Sequence, residues 1–204
     1  MEVFIISVSL IFQWEQHPGD HKEQTDLLEG VEKLWDLGFV VVAAAGNQGP
    51  GAGTVTAPGS SRKIITVGSS DLLTGRTAIS GRGPTFECVC KPDLVAPGNH
   101  VLACASGAYN GYGVKSGTSM STPLVAGAAA LMLEKNPELT NVQIKMKLKE
   151  SARDNGIAKE SAGMGRTGSG TFYGTVISNL LFHKIIALVY KSIDERPVFG
   201  YHDS

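Results

Sequence analysis

The hydrophobic pattern of the chain begins with short, continuous apolar runs. Residues Met1–Phe12 and Phe39–Ala45 carry few polar side chains, and Ile64–Gly68 is a third such run. Runs of this length, rich in β-branched residues, are typical of strands buried on both faces of a parallel sheet. The first run has Glu2 where an export signal carries basic residues, and no small-x-small cleavage site follows it. It is therefore interpreted as a strand and not as a signal peptide.

Between the first two runs, the pattern changes to that of a loop followed by a helix. Residues 13–24 are polar and predict a loop. Asp26 and Glu29 form a capping-box-like helix start, and Gly38 is suited to the position just after a helix end. The apolar positions between them recur at helical spacing: Leu27, Val31, Leu34 and Trp35. Strand, helix and strand in this order predict a βαβ unit, and hence an α/β fold with a mostly parallel sheet.

The ten residues Leu124–Leu133 carry no charge and follow the segment G-T-S-M-S-T-P at 117–123. They predict a buried helix that is apolar on all sides, with Pro123 in its first turn, where the missing N–H has no helical partner. A serine at the start of such a helix lies near backbone N–H groups and the positive end of the helix dipole. This environment suits an acyl-transfer nucleophile, although Ser and Thr are also ordinary helix N-caps.

A polar amide, Asn47, follows directly after the apolar run Phe39–Ala45. Ligands bind beyond the carboxyl ends of parallel strands, although a Gly-Asn pair is also a common turn. The nearby Gly49, Gly51 and Gly53 suggest a dinucleotide-binding loop. That interpretation fails because the residues after them, 54–58, end in a proline and cannot open the helix that binds a pyrophosphate.

Four segments, in this order along the chain, resemble the subtilisin-like serine proteases, or subtilases. They are the strand that ends in Ser7-Val8-Ser9, A-A-G-N at 44–47, K-P-D-L-V-A-P-G at 91–98, and G-T-S-M-S-T-P at 117–123. The resemblance extends over about residues 3–158. It implies a three-layer α/β sandwich of the subtilisin type and a serine endopeptidase that hydrolyses peptide bonds through an acyl-enzyme.

The resemblance also implies roles for single residues. Ser119 is the nucleophile, and the side-chain amide of Asn47 donates to the oxyanion together with the N–H of Ser119. Two further sets would contact the substrate: Ser7, Val8 and Ser9 as an edge strand that pairs with its backbone, and Ala44, Ala45 and Gly46 as one wall of the primary specificity pocket. Asp93 is not the aspartate of the triad in this family, and we interpret it as a turn-capping carboxylate.

The resemblance lacks one part of the family pattern. In subtilases, the catalytic Asp and His lie N-terminal to the first strand of this chain, in a D-x-G-like and an H-G-T-like segment, and neither precedes that strand here. We therefore expect the C-terminal two-thirds of a peptidase domain that lacks its first strands and is inactive alone. His17 and His21 are candidate bases, but they lack the Gly-Thr context. The alternative is a non-catalytic relative that binds peptides or a partner protein.

Composition excludes several classes of partner. The net charge is −1 with scattered Lys and Arg, which predicts no binding of nucleic acid or an acidic membrane surface, and no apolar run is long enough to span a membrane. The cysteines Cys88, Cys90 and Cys104 do not have zinc-site spacing and are predicted to be buried free thiols. We predict no metal site, although calcium is common in the family, and no cofactor. The predicted partner is a peptide or protein substrate, and the family implies secretion.

The C-terminal part predicts two further helices and a change of character. Thr140 and Gln143 form a capping box for a surface helix. The peptidase-like domain is predicted over residues 1–158, and residues 159–204 form a tail without an assigned function. This tail begins with a glycine-rich linker at 160–170 and contains an apolar segment, 177–193, that is predicted to form an amphipathic helix.

Overall fold

The computed structural model describes residues 5–8, 21–70, 79–105, 111–152 and 175–176, with no side-chain description for residues 5–8, 21–23 and 175–176. These parts contain three helices: α1 (His21–Asp36), α2 (Thr118–Lys135) and α3 (Asn141–Ser151). The strands are β1 (Ile5–Val8), β2 (Val40–Ala44), β3 (Ile65–Ser69), β4 (Leu94–Ala96), β5 (Val101–Cys104), β6 (Tyr112–Lys115) and β7 (Thr175–Val176).

Five of the described strands form one parallel sheet in the order β1-β2-β3-β4-β7. Successive side chains of a strand point to opposite faces, and all of the side chains at 40–43 in β2 and 65–69 in β3 are buried. Both faces of the sheet are therefore covered. Helix α2 packs against β1, β2, β3 and β4, and α1 and α3 contact β2. The predicted α/β class with a parallel sheet is confirmed.

Helix α1 begins earlier than the sequence pattern predicted. It starts at His21, so Asp26 lies inside the helix and is not its cap, and the predicted loop 13–24 is too long. No proline or glycine stands between His21 and Asp26, and nothing in this stretch therefore opposes a helix. The helix end was predicted correctly. Gly38 has φ 93°, and its N–H donates to the carbonyl of Trp35.

Helix α2 also begins earlier, at Thr118, so Pro123 lies inside it and not in its first turn. Because proline has no N–H, Pro123 cannot donate to the carbonyl of Ser119 four residues before it. The helix is not buried on all sides: Pro123 and Ala130 are exposed, whereas Val125, Ala128 and Ala129 are buried. The uncharged sequence predicted complete burial because it has no polar stripe, but small apolar residues are tolerated at a surface.

Helix α3 begins as the sequence predicted. The hydroxyl of Thr140 accepts from the N–H of Gln143, and the side chain of Gln143 accepts from the N–H of Thr140. The next residue, Asn141, fastens this helix to the rest of the fold because its side-chain amide donates to the carbonyls of Trp35 and Phe39. Ile144 and Leu148 complete the packing inside the core.

A buried ionic cluster joins the segment directly before β4 to β3 and α3. The side chain of Lys91 is 0% exposed, and its ammonium donates to Oδ2 of Asp93 over 2.6 Å and to the carbonyl of Ile64 over 2.9 Å. Lys145 of α3 lies 3.3 Å from Oδ1 of Asp93. The carboxylate also accepts from the N–H of Thr66. The interpretation of Asp93 as a turn cap is therefore wrong, because this residue is the counter-charge of two lysines.

This cluster predicts how stability depends on pH. Burial lowers the pKa of Lys91 from 10.5 to about 8, although Asp93 acts in the opposite direction. Between these pH values the unfolded chain binds more protons than the folded one, so stability rises with pH across this window. The rise attributable to Lys91 is about 3 kcal/mol, at about 1.4 kcal/mol for each tenfold change in proton affinity.

Urea unfolding between pH 7.5 and 10.5 checks this expectation, with Lys91→Met as the comparison. Methionine is apolar and of similar length, and Asp93 keeps Lys145 and the N–H of Thr66 as partners. As the pH rises, the unfolding free energy of the wild type should therefore increase relative to that of Lys91→Met. A difference that is constant over this range contradicts the assignment.

All three cysteines are exposed free thiols, so the prediction that they are buried is wrong. Cys88 has φ 57° and lies in a tight turn in which its N–H donates to the carbonyl of Thr85. Cys90 follows that turn, and Cys104 ends β5 in a hairpin at the surface. The prediction rested on the general preference of cysteine for burial, whereas turns and hairpins at the surface place their side chains in solvent. None of the described helices is long and apolar enough to cross a membrane.

Candidate active site

Ser119 lies in the first turn of α2, at the carboxyl end of the parallel sheet. It is 7% exposed, and the neighbouring Thr118 and Ser121 are fully buried. The residue before the helix, Gly117, is its N-cap and provides no side chain to satisfy the first N–H groups. The alternative that Thr118 and Ser119 are ordinary helix N-caps therefore does not apply, because both residues lie within α2. The caps must come from elsewhere in the fold.

The amide of Asn47 supplies such a cap from a distant part of the chain. It follows the end of β2, and its Oδ1 accepts from the N–H of Thr118 over 3.0 Å and from the Thr118 hydroxyl over 3.2 Å. A backbone N–H can only donate, so this contact fixes which amide atom faces the helix. Nδ2 is thereby turned toward the turn that precedes Ser119.

The position of Nδ2 can be related to Gly117. A Cβ at Gly117 would lie 3.2 Å from Nδ2 of Asn47, and Gly117 has φ 147°, which L side chains rarely adopt. The absence of a side chain at 117 therefore leaves space next to a fixed amide donor and the start of α2. An N–H donor and a helix N-terminus beside a serine hydroxyl form the arrangement that stabilises a negatively charged oxygen.

A second set of contacts fastens the first turn of α2 to the end of β4. The hydroxyl of Ser121 donates to the carbonyls of Ala96 and Pro97 at 2.9 and 3.1 Å. The N–H of Gly117 donates to the carbonyl of Gly98 over 2.8 Å. A Cβ at Gly98 would collide with the Ser121 hydroxyl, so the backbone approaches the helix closely here. These contacts fix the position of Ser119 relative to the sheet.

Thr118 and Ser121 are site residues that sequence reasoning did not assign. Both stand in the segment 117–123 that drew attention to Ser119, and the only available signal was a series of short polar side chains in a helix start. Their roles depend on Asn47 and on Ala96, which are 71 and 25 positions away. Sequence periodicity carries no information about such long-range contacts.

The predicted pocket wall lies directly before Asn47. Ala45 is fully buried, and its N–H donates to the carbonyl of Val67. Gly46 has φ 90°, and its carbonyl accepts from the N–H of Gly81. Ala44 is the last residue of β2. After Asn47, the N–H of Gly49 donates to the carbonyl of Ile79. Backbone bonds thus hold the chain on both sides of Asn47 and restrict the position of its amide.

The remaining predicted residues are only partly described. Ser7 and Val8 belong to β1, which lies at one end of the sheet formed by the described strands. Ser9 and His17 lie outside the described residues, and His21 is the first residue of α1 with its side chain not described. The roles predicted for these residues stay predictions.

One tripeptide, Asp36-Leu37-Gly38, has the letters of a D-x-G segment but a structural role. Gly38 closes α1, and Asp36 forms a 2.7 Å ion pair with Lys63. Its carboxylate belongs to the helix end before β2, whereas Asn47 follows the other end of that strand. Asp36 therefore does not join the site around Ser119.

Gly117 and Gly30 form a matched pair for testing the turn before Ser119. We expect Gly117→Ala to lower the unfolding free energy by about 1–3 kcal/mol, because of its φ of 147° and the contact with Asn47. Gly30 lies inside α1 with nothing near its Cβ position, so Gly30→Ala should raise that free energy by about 0.5–1 kcal/mol. Denaturant unfolding of both variants checks the opposite signs, and equal signs contradict the account.

The comparison with known sequences agrees with this geometry. The sequence model that describes the Subtilase family matches residues 1–166 of the chain. The chain belongs to the subtilase family. Among its relatives, serine protease AprX of Bacillus subtilis (strain 168) is 40% identical over 149 residues, which cover 64% of this chain and 34% of AprX. Subtilisin Savinase of Lederbergia lenta is 38% identical over 134 residues, which cover 66% of this chain and 46% of that protein.

A solved structure supports the subtilisin-like fold of this subtilase. A cold-adapted subtilisin-like serine proteinase matches with a TM-score of 0.58 and 29% identity over 87% of this chain and 55% of the other. The predicted subtilisin-like architecture is therefore confirmed. The chain spans about a third to a half of the length of the curated relatives above.

The described part of this subtilase contains no cluster of three or more His, Cys, Asp or Glu side chains that could hold a metal ion. The buried carboxylate of Asp93 already has the ammonium groups of Lys91 and Lys145 as counter-charges. Calcium binding, which is common in the family, thus has no residue assigned to it here, and the prediction of no metal or cofactor stays a prediction.

Proposed function

We propose that this subtilase contributes the nucleophile and the oxyanion donors of a serine endopeptidase. The observation that carries the proposal is the amide of Asn47, whose Oδ1 is held by Thr118, so that Nδ2 faces the turn before Ser119. An N-capping role needs only the amide oxygen, Oδ1. Nδ2, which faces a serine at a helix N-terminus, is free of that role and is placed to donate to an oxyanion.

In the proposed reaction, Oγ of Ser119 attacks the carbonyl carbon of a peptide bond while its proton passes to a general base. The carbonyl oxygen becomes an oxyanion and accepts from Nδ2 of Asn47 and the N–H of Ser119. The base then protonates the leaving amine, which departs. In the second step the base accepts a proton from water, which attacks the acyl-enzyme, and the proton returns to Oγ of Ser119 as the acid product leaves. Ser7, Val8 and Ser9 are proposed to pair with the substrate backbone, and Ala44, Ala45 and Gly46 to border the side-chain pocket.

The base is proposed to be a histidine oriented by an aspartate, as in the triad of the family. We do not assign it to His17 or His21, which lack the Gly-Thr context of the family motif. The pair would come from D-x-G-like and H-G-T-like segments that do not precede β1 in this sequence. Without such a pair, the hydroxyl of Ser119 is a poor nucleophile at neutral pH.

Labelling with a fluorophosphonate serine probe tests the proposal. The full chain is treated alone and after mixing with the part of AprX that precedes its matched region, and Ser119→Ala is treated in parallel. We expect labelling in the mixture that disappears in Ser119→Ala. Labelling that persists in this variant would assign another nucleophile and overturn the proposal.

No labelling of a folded chain in either condition would also overturn it, and would favour the non-catalytic peptide- or protein-binding relative. Folding is checked independently by the cooperativity of urea unfolding. Secretion stays a prediction drawn from the family, and so does the absence of nucleic-acid and membrane partners.

A further inference from the structure

Two of the exposed thiols, Cys88 and Cys90, are separated by a single residue. They stand in a short hairpin of residues 83–91, which we call the thiol hairpin. At its base, the N–H of Gly83 donates to the carbonyl of Lys91 over 2.8 Å. Lys91 belongs to the buried ionic cluster. The thiol hairpin is therefore anchored in the core at one end, while its two thiols lie in solvent.

The turn of the thiol hairpin holds Cys88 in a conformation that favours glycine. The N–H of Cys88 donates to the carbonyl of Thr85, and the N–H of Thr85 donates to the carbonyl of Val89, both over 2.9 Å. Three-residue hairpin loops of this kind end in a left-handed residue, and Cys88 has φ 57°. Glycine adopts this conformation without strain, whereas a residue with a Cβ does not. Backbone strain is concentrated at functional positions, which points to a use of the thiol.

The bonding pattern fixes the distance between the two cysteines. Successive bonded pairs of the thiol hairpin are two residues apart on each strand, as in an antiparallel ribbon. The chain is therefore extended at Val89, and a rise of about 3.2–3.4 Å per residue places the Cα atoms of Cys88 and Cys90 about 6.5 Å apart. Disulfides span Cα separations of about 4.4–6.8 Å, most often about 5.5–6 Å. The separation thus permits a disulfide only with strain.

We propose that Cys88 and Cys90 are a reversible redox pair, which forms an intrachain disulfide by exchange with a small-molecule disulfide. Both thiols are free and exposed, so a small solute reaches them. The ring that the bond closes contains Val89 and has to shorten it, which breaks the bond between Val89 and Thr85. Strained and exposed disulfides are the easily reduced ones, so this pair is labile and is not a structural cross-link. The inference does not rest on the proposed protease function.

The reaction consists of two exchange steps. The thiolate of one cysteine attacks a sulfur of the small disulfide, and the other half of that molecule leaves as a thiolate. The thiolate of the second cysteine then attacks the protein sulfur of this mixed disulfide and releases the second half. The two protein thiols lose two protons and two electrons, and the small disulfide is reduced to two thiols. A single cysteine stops at the mixed disulfide, because no second thiol attacks it.

The mass of the intact chain tests the pair. The full chain with Cys104→Ser is treated with glutathione disulfide, and the remaining thiols are then blocked by alkylation. We expect at least about 10-fold more chain that has lost two hydrogens than chain that carries glutathione, because the second thiol is present at a high effective concentration. Adding Cys88→Ser or Cys90→Ser leaves one thiol, and each of these variants should retain one glutathione.

The same samples test whether the pair is reversible. An excess of about 100-fold reduced glutathione should restore the two hydrogens, since a strained disulfide is easily reduced. Three outcomes would overturn the proposal: glutathione on both cysteines without ring closure, no reaction at either thiol, or an intrachain disulfide that resists this excess.

Hydrogen exchange provides a structural readout of the same step. The N–H of Thr85, which is bonded to Val89, should exchange at least about 10-fold faster in the oxidised chain than in the reduced one. The N–H of Gly83 at the base should keep its rate, because its bond to Lys91 lies outside the ring. Equal exchange of Thr85 in the two forms would contradict the strained ring on which the lability of the pair depends.

Discussion

Replacing Asp93 with Asn is expected to lower the unfolding free energy by about 3–5 kcal/mol, the largest loss of stability that we predict for a single substitution. Asparagine keeps the shape of the side chain and removes only its charge. The ammonium of Lys91, which has no solvent exposure, then loses the counter-charge 2.6 Å away, and Lys145 loses its partner at 3.3 Å. A buried charge without a counter-charge costs several kcal/mol.

The measurement is urea unfolding of Asp93→Asn at pH 7, with Asp36→Asn as the matched control. Asp36 forms an equally short ion pair with Lys63, but its side chain is 58% exposed. An exposed pair contributes at most about 1 kcal/mol, so the control should change little. If the unfolding free energies of both variants fall by similar amounts, burial does not make the ion pair of Lys91 and Asp93 more costly to break than the exposed pair.

Asn47→Asp is expected to slow phosphonylation of Ser119 by about 10²–10³, which is the largest effect on reactivity after loss of the nucleophile itself. The carboxylate still offers an oxygen to the N–H and hydroxyl of Thr118, so the cap on α2 is retained. It replaces the Nδ2 donor by a negatively charged acceptor, which repels an oxyanion. The magnitude is that of the corresponding loss in subtilisin, a member of the same family, and is not an independent value.

The second-order rate constant for the fluorophosphonate probe measures this effect in whichever preparation is labelled. Gln48→Glu is the control, because it introduces the same charge at the next position and leaves the Nδ2 donor of Asn47 in place. It should keep the rate within about threefold, since the donor is retained and the added charge at this exposed position is largely screened. A small effect of Asn47→Asp, or an equal effect of both variants, would leave Asn47 as a helix cap alone.

Sequence reasoning succeeded where local signals are strong. The continuous apolar runs became β1, β2 and β3, the capping box at Thr140 became the start of α3, and Gly38 ended α1. Each of these follows from residues within a few positions of one another. The starts of α1 and α2 were placed too late, because Asp26 and Pro123 are good start signals that also fit inside these helices.

The site was only partly accessible from the sequence. Ser119 and Asn47 were named because they stand in segments that resemble a family, and their chemistry alone did not distinguish them from ordinary cap and turn residues. The bond between Asn47 and Thr118 spans 71 positions, and the cluster of Lys91, Asp93 and Lys145 brings β4 and α3 together. No local pattern contains either contact, because each depends on the order of the strands in the sheet.

The proposed reaction requires that Nδ2 of Asn47 and the N–H of Ser119 face the same oxygen of the reacting group. A crystal structure of the chain after phosphonylation, with or without the added segment of AprX, shows whether they do. We expect a covalent bond from Oγ of Ser119 to phosphorus and a phosphonyl oxygen about 2.7–3.1 Å from Nδ2 of Asn47. Attachment to another residue, or a phosphonyl oxygen turned away from Asn47, would contradict it.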